Sequence, residues 1–173
     1  MRAYYYSFNT DIGSIMIAFS NKGVVNLSFL PDEKMKYYKY LSKFYDDIVE
    51  YKGVETSYSK QIKLFLQGKL NKFDVPLDLH GTEFQMSVWK ELLKIPYGEV
   101  RSYKDIAEAI GRNNAYRAVG MANNRNPIPI IIPCHRVIGN SGDLVGYGGG
   151  IDIKRKLLEL EGIIVIQNKI VRE

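Results

Sequence analysis

Cys134 is the single cysteine of the 173 residues, and it stands in NPIPIIIPCHRVIG, Asn126 to Gly139, between an apolar run and a histidine. A thiol attacks as its thiolate, which needs a nearby base or cation and often a third group to orient that base. His135 is the adjacent base. Neighbours on a strand point to opposite faces, so contact between the two calls for a bridging water or a bend after Pro133. Glu159 and Glu161, in the last helical stretch, are both able to orient the imidazole, and spacing does not choose between them. The plain alternative is a buried spacer, since lone cysteines usually pack as small hydrophobes.

The elements around Cys134 suggest what such a thiol would meet. TEFQMSVWKELLKI reads as a helix capped by Thr82, with Phe84, Val88, Trp89, Leu92 and Leu93 near helical spacing and a stop at Pro96 and Gly98. SYKDIAEAIG is a short helix from a serine cap to a glycine, and AYRAVGMAN a second one after the polar turn RNN. Two short helices joined by a tight turn suggest a helix-turn-helix. IPIIIPC reads as a short buried strand, followed by the glycine-rich loop GNSGDLVGYGGG and the amphipathic helix IDIKRKLLELEG. Between Ala109 and Gly142 there is no Asp or Glu, yet Arg112, Arg117, Arg125 and Arg136 all fall there. Cations without local carboxylates make phosphates plausible partners. Ala115, Ala118, Gly120 and Ala122 leave the helix around Arg117 thinly clothed, able to bring its backbone close to a narrow surface.

The remainder is organised differently. Nine of the thirteen tyrosines precede residue 79, while both histidines, the cysteine and the tryptophan follow it. AYYYSFNT, SIMIAFS and VVNLSFL read as strands broken by DIGS and NKG. EKMKYYKYLSKFYDDIVEY reads as one amphipathic helix, SYSKQIKLFLQGKL as a shorter one from a serine cap, and FDVPLDLHG as a last strand that becomes a linker. The YYKY tyrosines read as helix packing rather than a base-stacking platform. The fold class expected is α/β (α+β): a small sheet-and-helix domain over 1–78, then a mainly helical, winged-helix-like domain over 79–173 that carries the cysteine on a strand or loop. With 46% hydrophobic and 25% charged residues the composition is globular, and a net charge of +5 permits a polyanionic partner. One cysteine excludes an internal disulfide, the N-terminus lacks a signal-peptide core, and no stretch nears the roughly 18 apolar residues of a membrane span. A cytoplasmic protein is expected.

IPCHRVIG, preceded by RAVGMANNRNPIPI and followed by GYGGG and LLELEG, resembles the O6-alkylguanine-DNA alkyltransferase family. EFQMSVWKELLKIPYGEVRSYKDIA matches as well, so the resemblance covers about 80–162. It implies repair of O6-alkylguanine, chiefly O6-methylguanine, by one irreversible transfer of the alkyl group to Cys134, with no cofactor. By position His135 matches a water-mediated base, Glu161 the carboxylate that orients it, and Asn126 the asparagine that braces the active-site turns. Tyr103 matches the tyrosine whose hydroxyl meets guanine N3. Arg117 matches an arginine that fills the space left by a flipped base, on a helix set in the minor groove of double-stranded DNA. Lys104, Arg112 and Asn140 match backbone contacts, and Val137, Tyr147 and Gly148 the pocket wall. Several relatives carry serine where Gly148 stands, so more room for bulky adducts is expected. The cysteines and histidines of the zinc site found in some relatives are missing here, so no metal is expected. A monomer is expected too. Two rivals remain: a lesion sensor or regulator without transfer, and a Cys–His hydrolase, which would turn over.

Overall fold

The computed structural model describes residues 1–29 and 33–171. It divides into two compact units, Met1–His80 and Gly81–Glu173.

The N-terminal unit is built on a sheet of order β3-β2-β1-β4, with β1 over Arg2–Thr10, β2 over Gly13–Ser20, β3 over Gly23–Ser28 and β4 over Asp47–Glu50. β1, β2 and β3 form an antiparallel meander, whereas β4 runs parallel to β1, Arg2 opposite Asp47. Because side chains alternate along a strand, the run Tyr4-Tyr5-Tyr6 splits between two faces. Tyr5 joins Ala3, Met16, Ala18 and Val25 under helix α1, Lys34–Leu41, with Tyr37, Leu41 and Tyr45 completing that core. Tyr4 and Tyr6 meet Phe19 and Tyr51 in a cluster of rings with centroids 5.3–6.3 Å apart. The Tyr6 hydroxyl reaches Thr56 and Ser59 at the start of helix α2, Ser57–Leu66.

Three expectations fail in this unit. The single helix expected over 33–51 ends at Leu41, and β4 occupies its last third. The open edge of β1 offers Ile48 and Val49 a ladder partner, and the strand's β-branched residues take it. The N-terminal amine on Asp46 at 2.8 Å and Arg2 on Asp47 at 2.5 Å fix that register. The strand expected in FDVPLDLHG is reduced to one bridge, Val24 with Leu77. Pro76 has no N–H to extend a ladder, so only its carbonyl is used, accepting from Val24 N at 2.9 Å. Gly23 lets that approach occur, since a Cβ there would lie 2.3 Å from the Pro76 oxygen. The second helix is capped from Thr56 and not from a serine, with no side-chain cap bond.

In the C-terminal unit, α3 (Glu83–Leu92) starts with a reciprocal capping box between Thr82 and Gln85 and buries Val88, Trp89 and Leu92. Helix α4 (Tyr103–Ala109) starts with a second box between Ser102 and Asp105. Helix α5 (Tyr116–Asn124) follows after a turn in which Gly111 adopts φ +73°, and both pack against α3. The Trp89 indole donates to the Ala122 carbonyl at 2.9 Å, locking α3 to α5. Two short strands, β5 (Arg101–Ser102) and β6 (Val137–Ile138), pair in parallel and join the start of α4 to the segment after Cys134. Helix α6 (Ile151–Leu160) and a terminal hairpin of β7 (Val165–Ile166) and β8 (Lys169–Ile170) close a core of Ile138, Leu144, Leu158 and Ile170.

The strand expected for IPIIIPC does not form. Ile128–Ile132 folds back on itself, with Ile132 N donating to Ile128 O at 2.9 Å, and Cys134–Arg136 is a turn of 3-10 helix. Ile130 takes φ +73°, an unfavourable conformation for a β-branched residue, held by near-complete burial. Pro129 and Pro133 remove two ladder donors, and the chain turns where a strand would have continued.

Candidate active site

The turn over Cys134–Arg136 removes the difficulty of strand neighbours facing opposite ways, and all three side chains are buried. His135 Nε2 lies 2.8 Å from Glu161 Oε1, with both side chains fully enclosed. Glu159 is exposed, so geometry makes the choice that spacing could not. Burial pushes the His135 pKa below 6.5, and the charges of Arg136 and Lys154 add to this against the pull of Glu161. The imidazole is therefore neutral at pH 7. With Nε2–H given to an ionised carboxylate, Nδ1 carries the lone pair of a base. Burial acts to raise the Glu161 carboxyl, but hydrogen bonds and charges from His135 and Arg136 outweigh it and hold the group below 4.5.

Glu161 is held from several sides at once. Arg136 donates from Nε to both carboxylate oxygens, at 3.0 and 2.9 Å, and from Nη2 at 2.7 Å, while Gly98 N donates at 3.0 Å. The remaining Arg136 donor, Nη1, is taken by the Ile95 carbonyl at 2.7 Å. Arg136 was one of the four arginines expected to lack a carboxylate. It has one, 25 residues away in sequence, and is a buried partner and not a phosphate ligand. Local sequence could not show this.

Cys134 is 3% exposed. Burial raises its thiol to about 11, while hydrogen bonding from Asn126, the charge of Lys154 and backbone N–H groups pull it back. Asn126 spans the folded-back segment, donating to Ile132 O at 2.8 Å and accepting from Ile128 N at 3.0 Å. The Tyr103 hydroxyl donates to Val145 O at 2.8 Å, and its ring lies beside Gly120 of α5. Of the pocket-wall residues, Val137 and Tyr147 are buried, and burial raises the Tyr147 hydroxyl well above 10. Gly148 is exposed, and a Cβ there would come 3.4 Å from the Asn124 carbonyl at the end of α5. Lys104 on α4, Arg112 in the turn, Arg117 on α5, Arg125 just after it and Asn140 after β6 are all exposed. None of those four cations makes an ion pair among the described residues.

Lys154 escaped the sequence reading. It is fully buried on α6, and Nζ donates to the carbonyls of Val137 and, at 2.9 Å, Val145, tying the residue after the cysteine turn to the glycine-rich loop. Burial lowers its pKa to about 8, and the charge of Cys134 works against that. The signal was present: Ile151, Lys154, Leu157 and Leu158 share one helical stripe, and a lysine in an apolar stripe has to find partners inside. A groove of about 960 Å³ between α3, α4 and the terminal hairpin is not lined by Cys134, His135, Glu161 or Lys154.

The class follows from fold and site together: a helix pair that carries exposed cations, and a buried cysteine next to a hydrogen-bonded histidine–glutamate pair. The model of the DNA-binding domain of 6-O-methylguanine DNA methyltransferase matches residues 83–163, from the first residue of α3 to just beyond α6. A methylated-DNA–protein-cysteine methyltransferase from Methanosarcina barkeri is 49% identical over 91% of this chain and 96% of its own length. The Mycobacterium tuberculosis OGT in complex with DNA superposes with a TM-score of 0.80 at 46% identity, covering 91% of this chain and 92% of that one. The O6-methylguanine-DNA methyltransferase of Pyrococcus kodakaraensis matches at 0.63 and 27% identity, over 93% and 99%. The chain belongs to the methylated-DNA–protein-cysteine methyltransferase family. Among the described residues no helix is long and apolar enough to cross a membrane.

Proposed function

We propose that this protein repairs DNA by moving the alkyl group from O6 of guanine to Cys134, once per molecule. The observation that carries the reading is a single buried thiol next to the neutral His135 and its ionised Glu161, within a domain matched to this family. His135, through a water, takes the thiol proton, and Glu161 stabilises the imidazolium that results. The sulfur forms a bond to the alkyl carbon as the carbon–O6 bond breaks. The electron pair stays with the departing guanine, and Tyr103 supplies a proton at N3. Burial that holds the resting thiol near 11 keeps it inert until this base is engaged.

DNA contact and transfer are both assigned to the C-terminal unit. O6 lies inside the duplex, so the nucleotide must be turned out, at a cost of about a few kcal/mol. Arg117 fills the gap from the minor groove, and Lys104, Arg112 and Asn140 hold the backbone. The bare stretch Ala118–Gly120 around Arg117 supports approach to a narrow groove. Val137, Tyr147 and Gly148 wall the pocket. A thiol that must stay reduced suits a cytoplasmic monomer.

The test is incubation with a duplex containing O6-methylguanine, followed by peptide mass mapping. One added CH₂ on the Cys134 peptide, saturating at one equivalent, is expected. Turnover past one equivalent, or an adduct on another residue, overturns the reading in favour of a hydrolase or a sensor.

A further inference from the structure

Asn123 stands in the next-to-last position of α5, is 1% exposed, and has no role in the reading above. Its Nδ2 donates to the carbonyl of Cys134 itself at 3.3 Å. Its Oδ1 has no hydrogen-bond partner among the described residues. One helical turn earlier, Gly120 lies against Tyr103, where an added Cβ would sit 3.7 and 3.8 Å from Cδ1 and Cε1 of the ring. Gly120 and Asn123 are three residues apart and share a face of α5. That face seats the tyrosine and reaches the cysteine backbone, while Arg117 of the same helix is exposed.

A buried amide with an unanswered oxygen carries a desolvation cost that a leucine of similar size would not. Packing alone therefore does not account for an asparagine here. What leucine cannot supply is a pair of N–H donors. One is spent on the Cys134 carbonyl. The Tyr103 hydroxyl already gives its hydrogen to Val145 O, so its oxygen is left as an acceptor. Burial raises the Tyr103 phenol to about 12, with the charge of Cys134 acting the same way, and the Asn123 side chain opposes both as a hydrogen-bonding neighbour.

We propose that Asn123 is a positioning residue, holding the Cys134 carbonyl from the face of α5 that also seats the Tyr103 ring. The backbone of the attacking residue and the ring of the phenol that protonates the leaving base are thereby referenced to one face of the helix that carries Arg117. The inference rests on the alkyl-transfer reading. It gives docking of α5 on DNA a direct route to the two reacting groups, separate from the Asn126 brace, which contacts the chain before the cysteine.

The experiment compares parent, Asn123→Leu and Asn123→Asp in single-turnover transfer from free O6-benzylguanine between pH 6 and 10, with thermal melting of each. Leu removes both donors and the orphan oxygen, and Asp keeps the shape but loses the amide's pair of N–H donors. Both variants are expected to react about tenfold more slowly at pH 7, the order of effect for one oriented hydrogen bond to a reacting group. Their rate profiles should move to higher pH, because the phenol loses a neighbour that favours its ionised form. Asn123→Leu should melt at or above the parent. Parent-like rate and profile in either folded variant overturns the inference, as does a slower rate on an unmoved profile, which a packing role would give. A parent that takes up no benzyl group overturns the alkyl-transfer reading and this inference with it. A parent that reacts while both variants match it in rate and profile overturns the inference alone.

Discussion

Among the described residues of the N-terminal unit the buried polar side chains other than tyrosine are Ser20 and Ser59, and the core is completed by the rings of Tyr37 and Tyr45. In the C-terminal unit Asn123, His135, Arg136, Lys154 and Glu161 are buried, and among the described residues every buried ionisable group outside the tyrosines and the thiol is one of these. Rings with hydroxyls at their tips supply area at low polar cost. Buried charges bring a desolvation penalty that pairing offsets only when every donor and acceptor is engaged. A fold keeps such a group where something besides stability needs it. The first unit therefore reads as a scaffold, and the second as a place where stability and chemistry share the same residues.

The largest effect should come from the residue with least structural value. Cys134→Ser is expected to abolish alkyl transfer, because a serine hydroxyl is a poor nucleophile without a strong base. Duplex binding should persist, since phosphate contacts come from the helix pair. Mass mapping together with a gel-shift titration reads both. Transfer at an appreciable fraction of the parent rate would mean that a different residue accepts the alkyl group.

Glu161→Ala should be next, costing about 3–5 kcal/mol by stranding Arg136 and His135 in the interior. The same network sets the acid limit. His135 has its pKa lowered from 6.5 in the fold, so the unfolded chain binds more protons and stability falls as pH drops below 6.5. Glu161, held below 4.5, adds a loss as pH falls from 4.5 through its folded value. In the first unit Asp78 is lowered from 3.8 by hydrogen bonds from Ser20 and Tyr45 that outweigh its burial, and its contribution survives to lower pH. Hydrogen exchange at pH 5 should show the C-terminal unit weakened and the N-terminal unit unchanged. Equal weakening of both would break the comparison.

Much of this organisation was legible. The three meander strands carry turn signals at their ends, and Thr82 and Ser102 announce α3 and α4 through capping pairs three residues on. The PCHRV setting carried the family. What stayed hidden depends on partners distant in sequence. β4 needed the free edge of β1, and the Arg136–Glu161 pair needed α6 to return beneath the cysteine turn. The reversal at Ile130 contradicts its own β-branched preference, and only the enclosing core makes it tenable. Asn123 lay within a quoted helix, yet nothing local separates a buried asparagine from an exposed one.

Arg117→Ala sharpens the comparison within the second unit, between binding and chemistry. Duplex repair should slow about tenfold or more, because nothing fills the space of the extruded base. Transfer from free O6-benzylguanine should be nearly unchanged. Equal loss on both substrates would place Arg117 in the support of the pocket. Lys154→Met should be milder: a several-fold slower transfer at pH 7, where the ammonium favours the thiolate and clamps Val137 and Val145. Because the Lys154 pKa is near 8, the parent loses that charge as pH rises, and the ratio of parent to variant rates should shrink above about pH 8. A constant ratio across that range would leave Lys154 only a packing role.

The smallest effect is expected from the scaffold side. Tyr45 donates to Asp78 Oδ2 at 2.5 Å and lies 2.9 Å from His80 Nε2, with burial and the Asp78 carboxylate both raising its pKa. It links Asp78 and His80 in the first unit. Even so, Tyr45→Phe leaves Asp78 accepting from Ser20 at 2.5 Å and 3.2 Å from His80, so the carboxylate is not stranded. The edge-on contact of the ring with His80, centroids 5.6 Å apart, survives the substitution. The loss should therefore stay near one hydrogen bond, about 1 kcal/mol, or roughly 2–4 °C in melting for a chain of this length. Transfer from free O6-benzylguanine should match the parent in rate and pH dependence, because no group of the cysteine site is touched. Slowed transfer at constant stability would show that the aromatic unit takes part in the chemistry, and the division between scaffold and reactive core would have to be given up.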